Sequence, residues 1–162
     1  MVPMQMKFRQ LMGRFVTGIT VIALRADDGE VAAMTANAVT AVSLDPMMLL
    51  CCIRNSSGLL SPLLSRGAFS VNVLSADQGD ISRHYGGQKQ DTSPAVWLPG
   101  DAGVPVLAGA NASFVCHVHS TCKAGDHTVI FGTVQDMAAR EQPSPALVFA
   151  AGKYRDMALS VA

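Results

Sequence analysis

The chain has 162 residues and 17.0 kDa, of which 49% are apolar and 15% charged, with a formal net charge of zero. That length suits one domain, 1–162, with a sizeable core; the zero balance without a basic block argues against nucleic acid as a partner. No apolar run approaches the ~20 residues of a membrane-spanning helix, and a charged share well below the ~25% usual for soluble domains points to a subunit that buries surface in an oligomer.

Lys7, Arg9 and Arg14 interrupt the apolar residues of the N-terminal segment, so no secretory core is expected there. Met4, Phe8, Leu11, Met12 and Phe15 follow the i, i+4, i+7, i+8, i+11 spacing of an amphipathic helix, which Thr17-Gly18 ends. Ile19 to Arg25 reads as a strand, Asp27-Asp28-Gly29 as a hairpin turn, and Val31 to Val42 as the returning strand. Asp45-Pro46 breaks it before the longest apolar run, Met47 to Ile53. From Thr35 to Ser43 the residues are small or hydroxylated, which lets a flat ligand lie close to the backbone. The run after Asp45-Pro46 ends in Arg54-Asn55-Ser56-Ser57, groups suited to a phosphate.

Leu59, Leu60, Leu63 and Leu64 have helical spacing, with Ser61-Pro62 reading as N-cap and first helical residue. Ala68 to Leu74 is a further strand. Ser75-Ala76-Asp77-Gln78 has the form of a capping box, opening a helix through Ile81 to about Tyr85. Gly86 to Gly109 shows no periodicity and one large apolar residue, Trp97; a loop that long is usually functional or pinned to a partner. Asn111 to Thr121 is a strand, Ala124-Gly125-Asp126 turns, and His127 to Met137 returns. Pro143 and Pro145 precede a short strand, Ala146 to Ala150, and Gly152-Lys153-Tyr154 opens the tail. Six or seven strands with two or three short helices, and no βαβ alternation, imply a small, mostly antiparallel barrel.

Cys116, His119 and Cys122 have zinc-like spacing, but on a strand Cys116 faces away from His117 and His119, so a metal is not expected. Cys51 and Cys52 are strand neighbours on opposite faces, and a chain of this length needs no disulfides; reduced thiols in the cytoplasm follow as the expectation. Neither a nucleophile elbow, a P-loop nor a Gly-x-Gly-x-x-Gly pattern occurs. His127 begins its strand at a sheet rim, where an imidazole either bonds or stacks on a ligand, or simply caps the hairpin.

Met34-Thr-Ala-Asn-Ala-Val-Thr-Ala-Val-Ser-Leu-Asp-Pro46, Phe69-Ser-Val-Asn-Val-Leu74 and Gly125-Asp-His127 through Phe131-Gly-Thr-Val134 resemble the short-chain flavin reductases, NAD(P)H-dependent partners of two-component flavin monooxygenases. The resemblance runs from Phe8 to about Tyr154. It implies a mostly β, antiparallel FMN-binding split barrel of Greek-key type with short peripheral helices. It also implies NADH or NADPH as hydride donor, FMN or FAD as acceptor, a homodimer, and a separate monooxygenase that takes the reduced flavin. By the same resemblance Thr35, Ala36, Asn37, Ala38, Val39, Thr40, Ala41 and Val42 lie along the flavin ring and ribityl chain. Ile53, Arg54, Asn55, Ser56 and Ser57 continue toward the phosphate, and His84 and Tyr85 close over it. Where relatives commonly carry Arg-Phe this chain has His84-Tyr85, with Arg83 as a replacement cation. His127 is implied to orient the nicotinamide, with Ala151, Gly152, Lys153 and Tyr154 forming the rest of that pocket. Other proteins on this barrel hold flavin permanently as oxidases or storage proteins, or sense flavin or haem without catalysis; NADH oxidation with and without added flavin separates these readings.

Overall fold

The computed structural model describes residues 3–88, 93–142 and 144–158. Pro143, and residues 89–92 of the long Gly86–Gly109 segment, lie outside the described residues. Three helices, α1 (Met4–Met12), α2 (Leu60–Arg66) and α3 (Gly79–Tyr85), decorate the sheets. The strands are β1 (Thr17–Gly18), β2 (Thr20–Arg25), β3 (Val31–Ala36), β4 (Val39–Leu44), β5 (Met47–Arg54) and β6 (Ala68–Val73). They continue with β7 (Trp97–Pro99), β8 (Pro105–Leu107), β9 (Ala112–Ala124), β10 (His127–Ala139), β11 (Ala146–Ala150) and β12 (Lys153–Met157).

Seven strands form one sheet in the order β3-β2-β6-β9-β10-β5-β4, every neighbouring pair antiparallel. Its edge strands, β3 and β4, are consecutive in the chain and joined only by Asn37-Ala38. The sheet must therefore curl until its two ends meet, which makes a barrel split along one seam. Ile22 and Leu24 of β2 turn into this barrel with Cys51 and Ile53 of β5, Phe69, Cys116 and Ile130. The alternate residues Ile19 and Val21 face a second core with Leu74, Ile81, Leu107 and Leu147. A strand buried on both sides, as β2 is, reads as the unbroken apolar run Val21–Leu24.

The single strand expected over Val31–Val42 is in fact two, because the curl of the sheet bends the chain at Asn37-Ala38. Helix α1 ends at Met12 rather than near Phe15, and Thr17-Gly18 pairs with Val148 and Phe149 of β11 instead of merely terminating it. Ser61 is not a cap: α2 is preceded by Leu59, and Pro62 stands third in the helix, where a missing N–H costs nothing. The expected capping box is present, with the Ser75 N–H donating to Gln78 Oε1 at 3.1 Å. It starts with a 3-10 turn before α3. Residues 153–157, expected as tail, form β12 against β11.

The long Gly86–Gly109 segment carries a small hairpin, β7 and β8, that is fastened to the sheet. Ser70 Oγ donates to the Pro105 carbonyl (2.5 Å), and a further fastening is Asn72, fully buried on β6. The Asn72 carboxamide donates to the Val21 carbonyl (3.0 Å) and Ser70 Oγ (2.9 Å). Its oxygen accepts from the Leu107 N–H (2.9 Å) and Ser113 Oγ (2.9 Å). One side chain thus ties β2, β6, β8 and β9 together.

Candidate active site

Strand β5 builds the floor of the site by simple alternation. Cys51 and Ile53 point into the barrel core, while Met48, Leu50, Cys52 and Arg54 face a large open cavity of about 1380 Å³. Along the seam Asn37, Ala38, Val39, Thr40 and Ala41 form the adjoining wall. Only small side chains stand there, so a ligand can come close to the backbone, and the Cys52 N–H donates to the Ala38 carbonyl at 3.0 Å to hold this wall against β5. Phe8, Met12, Phe15 and Val16 close another side, and Phe149 with Gly152 a third.

At one end of β5 the register pairs Arg54 with His127, so both side chains leave the same face at this rim of the sheet, where Arg54 lines the cavity and His127 stands outside its lining. Asn55 fixes this rim. Its N–H donates to the Asp126 carbonyl (2.9 Å) and its Nδ2 to the Gly125 carbonyl (3.2 Å), while Oδ1 accepts from Thr128 Oγ1 (2.8 Å). Gly125 makes the two-residue turn at φ +61, a conformation that glycine adopts freely. Asp126 Oδ1 accepts from His127 Nδ1 at 2.8 Å. That hydrogen bond, with the charge of His127 and a smaller contribution from Arg54, holds the Asp126 carboxyl below the usual carboxylate range. With its proton held on Nδ1, the ring leaves Nε2 for a ligand.

Other residues expected at the site do not line the cavity; some are engaged in the scaffold and others are exposed beside it. Thr35 Oγ1 donates to the Ser82 carbonyl (2.7 Å), Ala36 and Ile53 are buried in the barrel, and Val42 is exposed beside the cavity wall. Ser57 Oγ accepts the Leu59 N–H at 3.3 Å, and Ser56 is exposed at the turn before α2. On α3, the Tyr85 hydroxyl accepts from Trp97 Nε1 (3.2 Å) and bonds Ser93 Oγ (2.9 Å), and the His84 ring meets Tyr85 edge-on. Arg83 pairs with Asp80 at 2.7 Å and lies 5.7 Å over the Tyr154 ring, so its charge serves α3 and β12. Tyr154 also receives a hydrogen bond from Ser82 Oγ (3.0 Å) and packs edge-on against Phe149. The Ala151 N–H donates to the Gly13 carbonyl at 2.6 Å, which pins the 151–152 turn to the end of α1, and Lys153 is exposed.

Sequence reasoning missed α1 as a wall and the Met48-Leu50-Cys52 face of β5. The second was available from the period of two that already separates Cys51 from Cys52. The first was not, because helical periodicity says which residues share a face but not what that face looks at. Burial pushes the Cys51 and Cys116 thiols up to about 12, so both stay protonated core groups. His117 and His119 are exposed, apart from buried Cys116, and among the described residues no cluster of metal-ligating side chains forms.

The cavity fits a flat cofactor with an anionic end: its walls are apolar, small residues admit a ring to the backbone, and among the described residues its only charged lining groups are arginines. Residues 12–158 match the flavin reductase like domain family. A probable flavin reductase of Rhizobium meliloti is 39% identical over 127 residues, which are 78% of this chain and 41% of that protein. The flavin reductase (NADH) of Kitasatospora aureofaciens is 40% identical over 144 residues, covering 86% of this chain and 75% of that one. The styrene monooxygenase flavin reductase of Pseudomonas putida S12 superposes with a TM-score of 0.88 at 33% identity, over 96% of this chain and 99% of that one. With this fold and match over nearly its whole length, the chain belongs to the flavin reductase like family.

Proposed function

We propose that this protein is an NADH-dependent flavin reductase that delivers reduced flavin, as FMN or FAD, to a separate monooxygenase. The observation that carries the reading is the cavity itself. At about 1380 Å³ it exceeds the ~300–1,000 Å³ typical of a single small-ligand pocket, room enough for two ring systems face to face. NADH as donor and a monooxygenase as recipient are supported by the relatives that carry those words in their names.

When both cofactors are bound, the nicotinamide supplies the hydride and the flavin ring accepts it. The chain's own task is placement, since reacting atoms must come within about 3–3.5 Å in line. In this reading Asn37 to Ala41 offer backbone and small side chains to the flavin, and Cys52 and Leu50 set the depth of the ring. Arg54 holds the phosphate end. His127, steadied by Asp126, orients the nicotinamide from the rim, and the Ala151-Gly152 turn limits where that ring lies. Thr35, Ser56, Ser57, His84, Tyr85, Lys153 and Tyr154 act around these as frame and entrance. The apolar walls exclude water from the gap between the rings.

The protein acts as a homodimer in this reading, its residues 1–162 forming one functional unit. The support is the low charge and the apolar α1 face, with Met4 80% and Phe8 65% exposed. A cytoplasmic setting accords with the four free cysteines. The test is loss of NADH absorbance on adding FMN, FAD or riboflavin to purified protein. A rate that saturates in added flavin is the expected result; a yellow protein inert to NADH and NADPH would overturn the reading.

A further inference from the structure

The charges inside the cavity are few and one-sided. Among the described residues its only ionic lining groups are Arg9, from α1, and Arg54, from β5. No carboxylate lines it, and neither arginine takes part in the three ion pairs present among the described residues. Arg9 has no charged partner among the described residues, and Arg54 has only a weak interaction with the exposed Asp126, so two cations on different elements, set in apolar walls, make a hollow that favours an anion.

Arg9 is not one cation of a generally basic helix that happens to reach inward. Lys7 and Arg14, its neighbours in the same segment, do not line the cavity. Phe8 and Met12, one turn apart, line it beside Arg9, so this face of α1 offers an apolar surface together with a guanidinium. The helix is also held in place. The Gly13 carbonyl, one turn beyond Arg9, accepts the Ala151 N–H at 2.6 Å, and β1 then pairs with β11. A guanidinium matches phosphate oxygens in bidentate geometry, whereas the neutral rim of a ribityl or isoalloxazine group would leave its charge unanswered.

Resting on the reductase reading, we propose that Arg9 is a second phosphate-binding residue of the site, acting with Arg54 on a phosphate of the bound nucleotide cofactors. The site then takes phosphorylated cofactors by two cations contributed from separate walls. Riboflavin, with the same ring and no phosphate, forgoes both.

The experiment compares wild type with Arg9→Ala, Arg9→Lys and the control Lys7→Ala. Steady-state rates are measured with FMN, FAD and riboflavin at saturating NADH, and then with NADH varied. Flavin fluorescence titrations of the same proteins with FMN and riboflavin read binding independently of turnover. Arg9→Ala is expected to weaken FMN and FAD by about tenfold, the scale of one lost charge-assisted hydrogen bond, and riboflavin by less than about twofold. Arg9→Lys should recover part of the loss, and Lys7→Ala should match wild type. If instead KM for NADH rises by that factor while the flavins are unchanged, the phosphate belongs to the nicotinamide nucleotide and the role of Arg9 stands. Equal loss for riboflavin and FMN with NADH unaffected would mean packing only and would overturn the proposal, as would no change for any cofactor. Failure of the reductase reading shows separately, as wild-type protein that oxidises no NADH with any flavin, and the titrations still decide the fate of Arg9.

Discussion

At the scale of single residues, the rim and the frame make different demands. Asp126 is fully exposed, so its bond to His127 contributes orientation more than stability. Because the carboxyl is held below its usual range, what it contributes is present above the ordinary carboxylate pKa and is lost only as pH falls through the lowered value. Asp126→Asn should therefore fold normally and lower kcat/KM for NADH several-fold. The ratio of wild type to variant should stay level on the acid side down to about pH 5, above the reference carboxylate pKa of ~3.9. A pH profile of both proteins checks this; a ratio that collapses already near neutral pH would remove Asp126 from the orienting role. Asn72 is the opposite case, buried and satisfied on both sides of its amide. Asn72→Ala strands the Leu107 N–H and the Ser113 hydroxyl and should cost about 3 kcal/mol, read as a lowered urea midpoint.

Among the elements, the β9–β10 hairpin carries the rim, and its register depends on a bulge beside Gly132. A Cβ at Gly132 would sit 2.9 Å from Phe69 Cζ and 3.1 Å from Cys116 Cβ, both on buried side chains. Gly132→Ala should destabilise by about 1–3 kcal/mol in urea or thermal unfolding, through overpacking alone. Most elements with a strong period were legible: the Asp27–Gly29 and Gly125-Asp126 turns, the capping box at Ser75–Gln78, and β2, β5 and β6. What was not legible depended on contacts distant in sequence. Nothing in the run expected as one strand, Val31 to Val42, marks a break, since the bend at Asn37-Ala38 comes from the sheet closing on itself. The β7–β8 hairpin has three-residue strands rich in proline, too short for a period of two to register. Its anchor, Asn72, stands with Ser70 as a polar residue in an otherwise apolar strand, and strand periodicity does not say what such a residue holds. For the site the pattern is similar. The backbone wall at Asn37 to Ala41 and the cation at Arg54 followed from residue chemistry and resemblance, while α1 entered only through its docking to the 151–152 turn.

For the whole molecule, the exposed apolar surface and the ligand cavity are not separate features. Leu44 is 90% exposed and Phe15 67%, and both also line the cavity, as do Phe8 and Met47. A partner subunit covering α1 and the β4–β5 turn would bury these side chains and at the same time complete the cavity walls. Low charge in the chain as a whole makes such burial inexpensive in desolvation. The proposed dimer should therefore be a condition of tight flavin binding rather than an accessory to it. Sedimentation or light scattering should give twice the 17.0 kDa chain mass. Leu44→Glu, which places a charge on the most exposed of these side chains, should give the monomer mass, with an unchanged far-UV spectrum because Leu44 supports no core. In that monomer the flavin KM should rise while the barrel stays folded, since the cavity loses a wall and admits water. A monomeric Leu44→Glu protein with wild-type flavin affinity would show that each subunit completes its own site, and would uncouple assembly from binding.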